Sequence, residues 1–385
     1  MTTTSTFKIV AIGDLHFGNP KLRAEELYAK LTKYLYPALE DTQLLLLTGD
    51  TYDQLTTVNS SANRYVLKFI QDIYSISSST GMQIRILHGT YTHDRDQVSI
   101  FNNLELPYTR TKVIDKITCE ELSHFNNHSD TKLRMLYIPD NLQYKHSSEV
   151  MKHVADNFKC LGWDKADIVL GHGSFDYALG CSAEHLPECT YTIDQFKPFI
   201  DPNGLIIMGH IHRPSHKANV YYCGSFDRMA HGEEEDKGFY TFYRDGEKWT
   251  SVFTVNTDAN LFITIEPQGN DIEARINSLL TQMHNKFTVP RGYVRVLYNN
   301  PEDRGIYQKV CFQAHPNIFF SGKRMNETDD NVFKLDELNI DTFTDVKPNM
   351  NNLGELAYQF LIDNSINPEF SKDVIVTKVQ QLLAE

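Results

Sequence analysis

Five short segments carry side chains that bind metal ions. They are Gly13-Asp14-Leu15-His16, Gly49-Asp50-Thr51-Tyr52-Asp53, His88-Gly89-Thr90-Tyr91-Thr92-His93-Asp94, Gly171-His172-Gly173 and Gly209-His210-Ile211-His212. One D-x-H or H-x-H alone is weak evidence. Five in series, each a glycine-linked cluster directly after an apolar run, are not easily coincidental. The donor set is aspartate and histidine in nearly equal parts, which suits manganese, iron or zinc better than calcium. Two such cations sharing a carboxylate sit about 3.5–4 Å apart, acidify a water and clamp phosphate oxygens, so a phosphoester can be cleaved with no protein nucleophile.

Side chains this far apart in sequence meet only if regular elements carry them to one place. The pattern predicts strands at Lys8–Ile12, Gln43–Thr48, Gln83–Leu87, Lys132–Ile138, Ile168–Leu170 and Leu205–Met208. Helices are predicted at Lys21–Leu39, Ala62–Ser77 and Ser147–Cys160. Alternating β and α segments imply a layered α/β sandwich. Every cluster follows a strand, and ligand sites of α/β folds lie at the carboxyl ends of strands. Strands then follow one another, at Gly238–Phe242, Thr250–Val255 and Leu261–Glu266, and are placed to close the catalytic sheet. A helix at Asp271–Lys286 and strands at Tyr293–Tyr298 and Val310–Gln313 make 260–325 a small α+β unit. An acidic linker, 326–352, and two short helices, Leu353–Asp363 and Lys372–Leu383, end the reading.

The five segments resemble the calcineurin-like metallophosphoesterase superfamily, with its D-x-H, G-D-x-x-D, G-N-H-D/E, G-H and G-H-x-H series. The resemblance spans roughly residues 5–245. It implies a four-layer metallophosphoesterase sandwich, 1–259, flanked by helices. It places Asp14, His16, Asp50 and His212 on a first divalent cation. Asp50 would bridge to a second, held also by His172 and His210. His93 would protonate the leaving group, with Asp94 orienting it. The pair of cations is expected to be Mn2+, with Mg2+, Fe2+ or Zn2+ as alternatives. Two departures stand out. Thr92 occupies the place before the catalytic histidine where the family has asparagine, so a threonine oxygen, a backbone carbonyl or water would replace that ligand. Asp53 stands where the meiotic-recombination nucleases have histidine, as it does in the wider superfamily.

After the last histidines, Arg213-Pro214, then Tyr222-Cys223-Gly224-Ser225-Phe226-Asp227-Arg228, Gly232-Glu233-Glu234 and Lys237-Gly238-Phe239 look like the Y-x-G-S-x-x-R, G-E and K-G-F run of SbcD-type nucleases. This likeness implies a DNA exo- or endonuclease subunit with a capping domain at 260–325. Its partners would be DNA and an SbcC-type SMC-like ATPase, in a homodimer within a heterotetramer. Residues 353–385 are expected to dock on the ATPase, in the cytoplasm, or in a bacterial host cell if the chain is phage-encoded. A phosphoesterase for a small nucleotide or phosphoprotein, and a non-catalytic scaffold with a degenerate second site, remain as alternatives.

Composition narrows the class. The formal net charge is −13, which argues against DNA binding by charge alone. Twelve acidic and four basic residues fall within 326–385, so the acidity is concentrated in the tail. The six cysteines form no C-x-x-C pair, which argues against zinc knuckles and redox motifs. No apolar run approaches the roughly 20 residues of a membrane span, and residues 1–7 lack the features of a secretory signal. His88 is expected to be structural, and His231 solvated.

Overall fold

A computed structural model describes residues 6–103, 110–140, 144–179, 187, 189–265, 278, 291–298 and 318–324. The strands in chain order are β1 (Phe7–Ile12), β2 (Leu44–Leu47), β3 (Gln83–Leu87), β4 (Arg110–Ile114), β5 (Thr118–Leu122), β6 (Leu133–Ile138), β7 (Ala166–His172), β8 (Ser174–Phe175), β9 (Thr190–Tyr191), β10 (Ile200–Gly209), β11 (Ser215–Lys217), β12 (Val220–Tyr222), β13 (Gly238–Asp245), β14 (Lys248–Val255), β15 (Leu261–Ile265), β16 (Gly292–Tyr298) and β17 (Ile318–Arg324). One six-stranded sheet runs β14-β13-β1-β2-β3-β4, and a second runs β11-β12-β10-β7-β6-β5. Strands β1 to β4 are mutually parallel, as are β6, β7, β10 and β12.

Strand side chains alternate between faces, and here both faces are apolar. Ile9, Ala11, Leu44 and Leu46 from the first sheet share one core with Met135, Tyr137, Ile168, Leu170 and Ile207 from the second. Their neighbours Val10, Ile12, Leu45 and Leu47 point the other way, onto Leu27 and Leu31 of helix Ala24–Tyr34 and Phe69 and Ile73 of helix Ser61–Thr80. Leu136, Val169 and Ile206 do the same against Val150, Val154 and Phe158 of helix Ser147–Leu161. Three apolar layers between four layers of secondary structure make the expected α/β/β/α sandwich. Continuous runs such as Leu44–Leu47 arise because parallel strands are buried on both sides.

Details depart from the sequence reading. The helix expected over Lys21–Leu39 is two, Ala24–Tyr34 and Tyr36–Leu39, because Pro37 lacks the N–H that would continue the ladder. Strands β4 and β5 are polar and lie at sheet edges, where charged residues are tolerated, so their pattern was not apparent. The strands of 219–267 do not all join one sheet: β12 completes the second, whereas β13 and β14 extend the first. The segment between them, Cys223 to Lys237, therefore passes from one sheet to the other.

A three-stranded sheet, β15-β16-β17, follows. Phe262 stacks on Tyr293 at 4.5 Å, and Tyr293 on Phe319 at 5.2 Å. Arg291 pairs with Glu26 at 3.0 Å, and the Tyr293 hydroxyl donates to the Lys21 carbonyl, so this sheet rests on the helix Ala24–Tyr34 region. The chain divides after Lys323 into two units, Met1–Lys323 and Arg324–Glu385. The linker and tail helices expected at 326–352 and 353–385, the strand at Val310–Gln313 and, but for Ser278, the helix at Asp271–Lys286 lie outside the described residues. Among the described residues no helix is long and apolar enough to cross a membrane.

Candidate metal centre

Six strands deliver the site. β1, β2 and β3 of the first sheet and β6, β7 and β10 of the second end at the same edge of the sandwich, and the loops after them meet. Asp14 N and His16 N donate to the carbonyls of Gly49 and Asp50 at 3.0 Å, which binds the first two loops together. The His172 ring crosses between sheets to the Thr48 carbonyl at 2.8 Å. The Asp14 carboxylate returns the connection, accepting from His210 N at 3.0 and 3.2 Å.

The backbone is strained at these side chains. Asp14, His16, Asp50 and His210 all have positive φ, at 49°, 50°, 49° and 90°. Such non-glycine conformations cost about 1–3 kcal/mol each and persist where the surroundings force them, commonly at functional sites. Gly49 is needed on two counts. Its φ is 105°, and a Cβ there would lie 2.4 Å from the His172 ring. Gly89 serves by closeness rather than by turning, since its Cβ would meet Asp50 at 2.2 Å.

Two donor clusters result. Asp14, His16 and His212 form one, and Asp50, His172 and His210 the other, the donor atoms of each lying within 4.8 Å of one another. His16 Nε2 is 3.1 Å from His212 Nε2. Asp50 Oδ2 lies 3.8 Å from His16 Nε2 and 3.3 Å from His172 Nε2, so one carboxylate faces both clusters. Ligands about 2.1 Å from a shared cation are separated by about 3.0–3.4 Å at octahedral or tetrahedral angles. The donor spacings fit a cation in each cluster, with Asp50 between them.

The His172, His16 and His212 rings are each turned by a partner on the far nitrogen, the usual way a metal-binding histidine is held. The Thr48 carbonyl takes the His172 Nδ1 proton and leaves Nε2 for an ion. Asp53 Oδ1 is 3.0 Å from His16 Nδ1 and is itself fixed by Asn19 at 2.9 Å. This assigns Asp53 to orienting His16, although Asp53, His16 and His93 also lie close enough to form a third cluster. Glu233 Oε1 is 3.2 Å from His212 Nδ1, and its other oxygen is 3.1 Å from Lys237 Nζ, which is fully buried and donates to the His212 carbonyl at 2.8 Å. Glu233 belonged to the sequence signature without a role, and the structure supplies one.

Electrostatics follow the geometry. Burial opposes the charged form of Asp50, but His172, then His16 and His93, outweigh it and hold the carboxyl well below the usual carboxylate range. Burial likewise opposes a charged His172, and Asp50 more than offsets this, pushing the ring up to about 10. Burial would raise Glu233, yet His212 and Lys237 hold it down at about 2. Burial, with His172 nearby, lowers His210.

Two expectations need correction. Asp94 does not orient His93. It is completely buried, and its oxygens accept from Tyr52 N at 3.0 Å and Gly89 N at 2.8 Å. It thus staples the loops after β2 and β3, a task only a buried acceptor of two N–H groups can perform. His93 is held instead through Nδ1 by the Asp53 carbonyl, with its ring edge-on to His16 at 4.9 Å. The threonine at the second cluster is Thr90, not Thr92. Thr92 is exposed on the short helix Tyr91–Asp94, whereas the Thr90 hydroxyl lies among the donor atoms. The helical turn begins only at Tyr91, which leaves Thr90, its N-cap, beside the donor atoms and carries Thr92 away from them. His88 is buried, with Nε2 against the Arg95 carbonyl, and is structural as expected. His231 is not simply solvated, since it packs edge-on against Phe262 at 5.2 Å.

Sequence reasoning also missed Asp140. It follows β6 as the other clusters follow their strands, so the same rule would have found it. Its carboxylate is 3.4 Å from the Thr90 hydroxyl.

Residues 7–214 match the family described as calcineurin-like phosphoesterase. No curated protein matches the chain.

Proposed function

Because the chain belongs to the calcineurin-like phosphoesterase family, and hydrolyses phosphoesters with bound metal on that footing, we propose that it is a DNA phosphodiesterase of the SbcD type. The observation that carries the hydrolytic reading is the pair of donor clusters with Asp50 facing both. When bound, the two cations would supply Lewis-acid polarisation of the phosphate and a more acidic water. Manganese suits this mixed oxygen and nitrogen donor set.

The protein's own part is positioning and proton transfer. His93 has Nδ1 fixed by the Asp53 carbonyl, so Nε2 is the nitrogen left to donate to a departing oxygen. Asp14, Asp50 and the turned rings of His16, His172 and His212 hold the site's geometry before substrate arrives, which is where most electrostatic catalysis originates.

DNA as substrate is supported by the run from Tyr222 to Phe239, whose members build the wall of the site. Ser225 N and Lys237 Nζ both donate to the His212 carbonyl, and Glu233 turns the His212 ring. Tyr91, 56% exposed two residues before His93, offers an aromatic face for a base. The acidity concentrated in 326–385 leaves most of the chain closer to neutral. We extend the proposal to an SMC-like ATPase partner, docked through residues 353–385.

The test is cleavage of linear and hairpin DNA with Mn2+, with and without such a partner, beside hydrolysis of a small chromogenic phosphodiester. DNA cleavage abolished by Asp50→Asn is expected. Hydrolysis of the small ester with intact DNA would replace the nuclease reading with that of a small-molecule phosphoesterase. Loss of partner binding on truncation after Asn352 is the expected sign of tail docking.

A further inference from the structure

We propose that Thr90 and Asp140 complete the shell of the second cation, giving it the donors Asp50, Thr90, Asp140, His172 and His210. The inference rests on the two-cation reading above and deepens it.

The geometry around one hydroxyl carries the argument. Thr90 Oγ1 lies 3.4 Å from Asp50 Oδ2, 3.4 Å from Asp140 Oδ2, 3.3 Å from His172 Nε2 and 3.5 Å from His210 Nδ1. A hydroxyl has one proton to give, and its good hydrogen bonds are about 2.7–2.8 Å long. Four contacts at this greater, nearly uniform length are not a hydrogen-bond pattern. They match the edges of a coordination shell with bonds of about 2.1 Å. Thr90 is also fixed independently, because its N–H donates to Asp50 Oδ1 at 2.7 Å.

Asp140 is placed for the same purpose. Its backbone N–H donates to the His88 carbonyl at 3.3 Å, tying the loop after β6 to the loop after β3. Among the described residues its carboxylate has no Lys or Arg partner, yet it faces two imidazoles and another carboxylate. A partly buried anion without a cation is costly unless an ion neutralises it. Asp14 and Asp50 provide only two negative charges for two dications, and Asp140 adds a third. Three oxygen and two nitrogen donors favour a harder ion such as manganese over zinc.

The test titrates the metal-free full chain with Mn2+ by calorimetry, with metal content checked after dialysis. Wild type should take two ions per chain. Asp140→Asn and Asp140→Ala should keep one tight ion, on Asp14, His16 and His212, and weaken the other at least tenfold. Thr90→Val should weaken the same ion. Asp140→Asn preserves volume and carries the decision if Asp140→Ala does not fold, as judged by circular dichroism. A second ion bound within twofold of wild type in both the Asp140→Asn and Thr90→Val chains overturns the inference and leaves the two-cation reading intact. Fewer than two ions in wild type overturns both.

Discussion

Glu233→Ala separates the two tasks assigned to Glu233. The carboxylate turns His212 through Nδ1 at 3.2 Å and balances Lys237, whose side chain is fully buried, at 3.1 Å. Removing it leaves Lys237 Nζ with the His212 carbonyl at 2.8 Å and Glu235 at 3.7 Å. Breaking a buried pair costs about 3–5 kcal/mol. Because Glu235 remains, the lower end, about 3 kcal/mol, is expected in urea denaturation of the metal-free protein. Loss of a partner that orients a ligand ring should also weaken the cation at Asp14, His16 and His212 by about 10–100-fold. The two effects separate in a second chain carrying Glu233→Gln with Lys237→Met. With both charges gone, stability should return to within about 1 kcal/mol of wild type, while cation affinity stays reduced because a neutral amide is a poorer partner for the ring. Calorimetric titration with Mn2+ reads the affinity. An affinity within twofold of wild type in Glu233→Ala would refute the positioning role. Failure of the double variant to recover stability would refute the buried-charge account.

Three further outcomes are expected. Asp50→Asn, which removes a charge and almost no volume, should lower hydrolysis at least about 10²-fold, the scale of a lost electrostatic contact; because it also takes the partner from buried His172, it should lower the unfolding midpoint in chelator while the folded chain keeps its circular dichroism. His93→Ala should lose about 10²–10⁴-fold in rate and retain both cations by elemental analysis; loss of a cation instead would make it a ligand. Cation uptake should release protons and tighten with pH. His172, pushed up to about 10 by Asp50, holds its proton at neutral pH and must lose it to bind. Affinity should therefore rise by up to about tenfold per pH unit below that value, and titrations in buffers of different ionisation enthalpy would measure the protons released.

Local pattern and tertiary arrangement contributed different things. Alternating apolar runs and amphipathic stretches are local properties of the chain, so the sandwich and most of its strands could be read without coordinates. The candidate ligands Asp14, His16, Asp50, His172, His210 and His212 were legible because each follows a strand, and parallel strands deliver their carboxyl ends to one edge. What the sequence could not supply was which nitrogen or oxygen faces which neighbour. Asp94 is adjacent to His93 in the chain, yet its carboxylate turns away to two backbone N–H groups, because a buried acceptor goes where donors lack partners. Thr90 displaced Thr92 because the helical turn begins only at Tyr91 and carries Thr92 away from the donor atoms. Glu233, Thr90 and Asp140 gained their roles from the meeting of loops that are 21 to 120 residues apart in the chain, a distance over which local pattern carries no information. Sequence alone determined that these ligands would meet at a strand edge. Only packing between the two sheets decided which atoms meet there.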